Sequence, residues 1–213
     1  FLRETTTPDL AKLRPVQLAA NYGTVLRTPI FLASSLVLSG TIGALYAQST
    51  MLPFILVNEI GLTPTQFGMG MLMQSGAYLG GSLVLKVVSR HVSGPRAARI
   101  GITLCGFGAI SMAMSVALVT PCFLSIMTPV AICTFGLAFL SPHVVTMSMA
   151  PFGHIAGSAS AMTGFLQMSA GFLAGVAAAL IGNPLTAFGI IIPFMELSAL
   201  AGFLWLSRLN RAT

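Results

Sequence analysis

The chain has 213 residues, 55% of them hydrophobic and only 7% charged, with a formal net charge of +6. A mean hydropathy of +0.92 excludes an ordinary soluble domain. The positive balance would suit nucleic acid, but the cations sit only where apolar runs end, which argues against that partner.

In chain order, Phe1–Arg3 reads as the tail of an apolar helix, and Glu4–Arg14, which carries Pro8, reads as a loop. Pro15–Arg27 has too few apolar positions to span and predicts a short helix lying on the membrane surface. Residues 1–27 are therefore expected to form a cytoplasmic linker and surface helix. Six candidate spans follow, at about 30–57, 66–88, 100–119, 122–149, 157–181 and 184–206. Each reaches the roughly 20 residues that a bilayer requires. They make a bundle over 28–209, with 210–213 as a tail. The first span is interrupted by Gly40, Gly43 and Pro53, and the fourth by Pro129 and Pro142. The chain starts at Phe1 rather than Met and has no signal-peptide n-region, so a fragment, or a chain separated from its first half, is expected.

The connections alternate in character. Glu59–Thr65, Thr120–Pro121 and Gly182–Asn183 carry no Lys or Arg, whereas Ser89–Arg99 is basic. With six spans, all ten basic residues fall on one side. The positive-inside rule makes that side cytoplasmic, with both chain ends there. A multi-pass protein of the cell inner membrane is the reading. Lys86, Arg90, Arg96 and Arg99 are candidates for topology anchoring and for a cytoplasmic gate.

Ala156–Gly175 (AGSASAMTGFLQMSAGFLAG) is uncharged and rich in small residues at helical spacing. Such a face lets helix backbones approach closely in lipid. Gly157, Gly171 and Gly175 are expected at helix packing, together with Gly76 and Gly80. The hexapeptides Gly76–Gly81 (GAYLGG) and Ala170–Gly175 (AGFLAG) repeat one another, with Gln74 and Gln167 shortly before each. Internal repetition suits a transporter assembled from structural repeats.

Three segments carry a likeness to a family: Pro53–Gly68 (PFILVNEIGLTPTQFG), Gly80–Gly101 (GGSLVLKVVSRHVSGPRAARIG) and His154–Gln167 (HIAGSASAMTGFLQ). The chain resembles the major facilitator superfamily and, within it, the Bcr/CflA drug-resistance transporters. The Glu4–Thr5 pair after an apolar tail fits the end of the sixth helix of such proteins. The resemblance implies an all-α, six-helix transmembrane bundle, the C-terminal half (helices seven to twelve) of a twelve-helix carrier, with the N-terminal half as its partner. It implies efflux of amphiphilic small molecules in exchange for protons. Uptake of a metabolite with protons is the alternative, and a structural or channel subunit a third reading. The basic loop departs from the family pattern in having no Asp or Glu.

The chemical inventory is sparse. His91, His143 and His154 are scattered, there are four acidic residues, and Cys105, Cys122 and Cys133 have no metal-ligand spacing. That argues against an enzyme and implies no metal or cofactor. Glu196 lies mid-span, where an ionised carboxylate must be neutralised, paired or wetted, and is the candidate for proton coupling. Gln74 and Gln167 are candidates to line a solute cavity. Tyr46 and Gln48 precede Pro53 in the first span and are assigned to the same cavity, and Tyr78 and Phe165 would stack on an aromatic solute.

Overall fold

The structure is a computed structural model that describes residues 15–212, and side chains from 16 to 210. The expectations for Phe1–Arg14, including the loop, the Glu4–Thr5 likeness and the three cations there, lie outside the described residues.

Seven helices follow in order: α1 (Pro15–Leu26), α2 (Pro29–Pro53), α3 (Pro64–Val88), α4 (Gly94–Leu118), α5 (Phe123–Met149), α6 (Ala156–Ile181) and α7 (Pro184–Ala212). Local signals set their ends. Proline opens α2, α3 and α7, where its missing N–H would have no partner anyway. Thr63 and Gln66 form a reciprocal capping box at α3, and Cys122 and Ser125 form one at α5. Gly182, at φ 76°, ends α6 in the left-handed conformation that glycine adopts without strain. Pro53 closes α2, and the next six residues, Phe54–Glu59, wind on as a π turn closed by Ile60 N–H to Ile55 O at 3.0 Å.

Among the described residues five apolar helical stretches are long enough to cross a membrane. One of them, Phe123–Ile181, breaks at the 3-10 turn Ala150–Ile155, where Phe152 leaves helical geometry, into α5 and α6. The result is a multi-pass membrane bundle of six long helices, with spans close to those expected. Two differences have a physical cause. α4 begins at Gly94, so Arg96 and Arg99 stand on a helix rather than in a loop, and α7 runs on to Ala212. Hydropathy marks where lipid ends; the helical hydrogen-bond ladder continues into water.

The contacts follow a two-fold pattern. α2 packs on α6 and α7; α5 packs on α3 and α4; α2 meets α5, and α4 meets α7. Exchanging the triplet α2–α4 for α5–α7 maps this set of contacts onto itself. The departures are that α6 also touches α7 and α5, while α3 has at most slight contact with α4 and α2. Each triplet has an odd number of spans, so the two cross the bilayer in opposite directions.

Close backbone approach makes these contacts possible. A methyl added at Gly101 would lie 2.7 Å from Gly136 O, and one at Gly40 would lie 2.6 Å from Met195 O. Only glycine permits the crossings α4–α5 and α2–α7 at this distance. α2 is central and α3 peripheral: 61% of the most apolar window of α2 is buried, against 11% for α3. α1 lies against α6 and α2, and its Val25 is buried with Phe31, Phe152 and Ala159.

Candidate functional site

Two features flank α2. On one side an open groove of about 570 Å³ runs between α2 and α6. Tyr46, Thr50 and Phe54 line it from α2, and Gly171, Phe172 and Val176 from α6. Both helices end at the face that lacks cations, so the groove lies in that half of the bundle. A methyl at Gly171 would come within 2.8 Å of Tyr46 Cβ, so glycine there lets α6 approach Tyr46. The Thr50 hydroxyl donates to Ala47 O at 2.7 Å, which leaves the groove almost wholly apolar apart from the Tyr46 phenol. Its volume falls within the roughly 300–1,000 Å³ of small-molecule pockets.

On the other side of α2 is a small polar pit. Glu196 of α7 reaches it, and Thr41, Leu45 and Gln48 of α2 and Cys133, Thr134 and Leu137 of α5 enclose it. Glu196 is 4% exposed and its Oε2 has no hydrogen-bond partner among the described residues. The pit has a volume of about 10 Å³, the lower limit for one water. Thr41 donates its hydroxyl to Val37 O at 2.9 Å, and Thr134 to Val130 O at 2.7 Å. With both hydrogens committed, these threonines offer acceptors, not donors, to a group in the pit. Next to it, the Cys105 and Cys133 thiols each donate to the other's backbone carbonyl, at 3.4 and 3.6 Å.

The residues expected to share one cavity are thus distributed. Tyr46 is half exposed in the groove, while Gln48, two positions on and nearly opposite on the helix, is 3% exposed beside Glu196. Gln74 is buried on α3, on the face that carries Gly70 and Gly81 against α5. Tyr78 is half exposed on α3. Phe165 faces out beside Tyr22 of α1, at a separate recess of about 270 Å³. Gln167 is half-buried, and its carbonyl lies at the α2 crossing near Gly43. Of the six expected solute contacts, Tyr46 alone lines the groove. Phe172, which matches Tyr78 in the repeated hexapeptide, was the available signal for the opposite wall.

Small-residue packing needs a similar correction. Gly171 and, more loosely, Gly175 face α2, but methyls at Gly76, Gly80 and Gly157 would meet nothing within 4 Å. Within the described residues they hold no helices together. Packing falls instead on Gly40, Gly81, Gly101 and Gly136.

Lys86 and Arg90 are exposed at the end of α3 and in the following turn, and Arg96 and Arg99 on the first turns of α4. At the opposite face Cys122, ahead of the α5 span, is exposed. The Ser125 hydroxyl and then its backbone N–H hold the Cys122 thiol below its ordinary value. Among the described residues no three His, Cys, Asp or Glu side chains gather as metal ligands would. Compared with known proteins, the chain matches no family model and no curated protein.

Proposed function

We propose that this bundle is half of a secondary transporter of the major facilitator type, exporting amphiphilic small molecules in exchange for protons across the cell inner membrane. The observation that carries the reading is the exchange of contacts between α2–α4 and α5–α7. Inverted three-helix repeats are how such carriers place a solute site near the midplane and rock around it. Two further observations support it. The apolar groove with one phenol suits a greasy, partly aromatic solute. The placement of α2, with Tyr46 on the groove and Gln48 on the Glu196 pit, gives one helix contact with both a solute and a protonatable group. Under this reading a shift of α2 on solute binding reshapes the pit, and a proton gained or lost at Glu196 biases the same helix.

The outward glycines Gly76, Gly80 and Gly157 fit a surface completed by the other half. The test is dye flux in inverted vesicles from cells that express the bundle together with the other half of the carrier; the bundle alone should transport nothing. Accumulation of a lipophilic aromatic cation should saturate, require an interior-acid gradient and collapse with a protonophore. Flux that is linear in dye and indifferent to the gradient would favour a channel or structural subunit. Accumulation driven by the reverse gradient would favour metabolite-type uptake.

A further inference from the structure

At the basic face, the ends of α4, α5 and α7 enclose a cleft of about 250 Å³ lined by Pro95, Arg99, His143, Phe203, Ser207 and Asn210. We propose that this cleft binds the phosphate of an anionic phospholipid.

The donors line the cleft, Arg99 and Asn210 at its exposed rim and His143 half-buried, without a carboxylate to satisfy them. The acidic side chains among the described residues are Glu59, at the opposite face, and Glu196, in the core. The Arg99 guanidinium therefore has no acidic partner among the described residues. Its planar fork matches two phosphate oxygens, a geometry that an ammonium does not offer. His143 stands next to it: a methyl at Gly94 would lie 3.0 Å from its Nδ1, so the glycine leaves room for the ring at the mouth of the cleft. Asn210 spends one amide hydrogen on a long contact to Met147 Sδ at 3.9 Å, which a phosphate oxygen would outcompete. Ser207 donates to Leu204 O at 2.8 Å, so it adds an acceptor and no donor. The cleft thus holds a fixed cation, an imidazole and an amide, and selects an anion with several oxygens.

Its surroundings select the source. Phe203 and Leu206 form an apolar floor, and Leu204 and Trp205 on the same helix are exposed to the bilayer side. A free phosphate would leave that floor wet, whereas a phospholipid covers it with its glycerol and first methylenes. The volume is below the roughly 300 Å³ at which drug-sized pockets begin, which fits a headgroup and not a transported solute. Tryptophan at this level matches the interfacial belt where headgroups lie.

The experiment uses the purified protein in nanodiscs of phosphatidylcholine containing graded phosphatidylglycerol. Lipid retained after detergent exchange is read by native mass spectrometry. Phosphatidylglycerol should be retained in preference to phosphatidylcholine, and Arg99→Gln should weaken that retention about fivefold, the share of one cation at a membrane surface. Asn210→Leu should weaken it less, and Arg90→Gln, outside the cleft, should leave it unchanged. Should Arg99→Gln fail to fold, Arg99→Lys keeps the charge without the fork and should give an intermediate loss. Equal retention of the two lipids, or equal loss in Arg90→Gln and Arg99→Gln, overturns the site in favour of diffuse surface attraction. Inorganic phosphate that displaces the phosphatidylglycerol at millimolar concentration overturns the lipid source and leaves a soluble anion.

Discussion

Gly136→Ala tests the packing logic at one atom. The added methyl would lie 2.8 Å from Gly101 O and 3.0 Å from Cys105 N, where ordinary contact begins at 3.4 Å. Leu104 Cβ lies 2.9 Å away as well; two of the three obstacles are backbone and the third is a Cβ fixed to it, so no side chain can swing aside. α4 and α5 must separate by several tenths of an ångström along their whole crossing, which loosens the Cys105–Cys133 contacts nearby. Overpacking of this kind costs about 1–3 kcal/mol. Alanine returns up to about 1 kcal/mol through helix propensity. The net is a loss of about 0–2 kcal/mol, centred near ~1 kcal/mol, which lowers the unfolding temperature by roughly 2–4 °C for a chain of this size. Gly106 lies on the facing helix, α4, with nothing within 4 Å. Gly106→Ala therefore carries the propensity gain without the clash, and should unfold at or above the wild-type temperature. The assay is thermal unfolding of the purified variants in one detergent, followed by fluorescence-detected gel filtration. If Gly136→Ala unfolds no lower than wild type, or Gly106→Ala unfolds as low as Gly136→Ala, the close-crossing argument is wrong.

Further consequences concern the groove, the pit and the exposed thiol. Glu196→Gln keeps the shape of the side chain and removes its exchangeable proton; it should fold normally and cut gradient-driven dye flux at least ~10-fold, a loss of about 1.4 kcal/mol of coupling. Flux with an unaltered pH profile would remove Glu196 from the coupling scheme. Tyr46→Ala takes the aromatic wall from the groove and should raise the half-saturating dye concentration about 2- to 12-fold, the range of one aromatic contact. Phe165→Ala, at the recess beside α1, should leave it unchanged; the opposite ranking would move the solute site to α1 and α6. Ser125→Ala removes the hydroxyl that favours the Cys122 thiolate. The thiol value should rise towards that of a free cysteine, so maleimide labelling at neutral pH should slow and its pH midpoint should move upward. An unmoved midpoint would mean that Ser125 does not tune the thiol.

The six spans were legible because apolar runs longer than a bilayer requires admit few readings, and because Pro29, Pro64, Pro184 and Gly182 punctuate them. The basic face was legible from the alternation of charged and uncharged connections. The site was less so. Gln48 and Glu196 meet only because α2 crosses α7 at Gly40, and the sequence shows the small residue without its partner. Tyr46 and Gln48 are near neighbours in sequence, whereas a helix sets residues two apart on nearly opposite sides. Small-residue spacing marks a smooth face on α3 and α6 but not what covers it, so it cannot separate Gly171, which packs on α2, from Gly76, Gly80 and Gly157, which meet nothing within the described residues. The π turn after Pro53 has no periodic signature, because one widened turn leaves the hydrophobic pattern unchanged.

Six crossings with the cations inside underlie the transporter reading, and the chain carries its own probe of that arrangement. Cys122 is exposed at the turn between α4 and α5, while Cys105 and Cys133 are buried in the bundle. A membrane-impermeant maleimide added to intact cells should label Cys122 alone, with Cys105 and Cys133 modified only after denaturation. Labelling of Cys122 that requires permeabilised cells would reverse the orientation and contradict the transporter reading at its base.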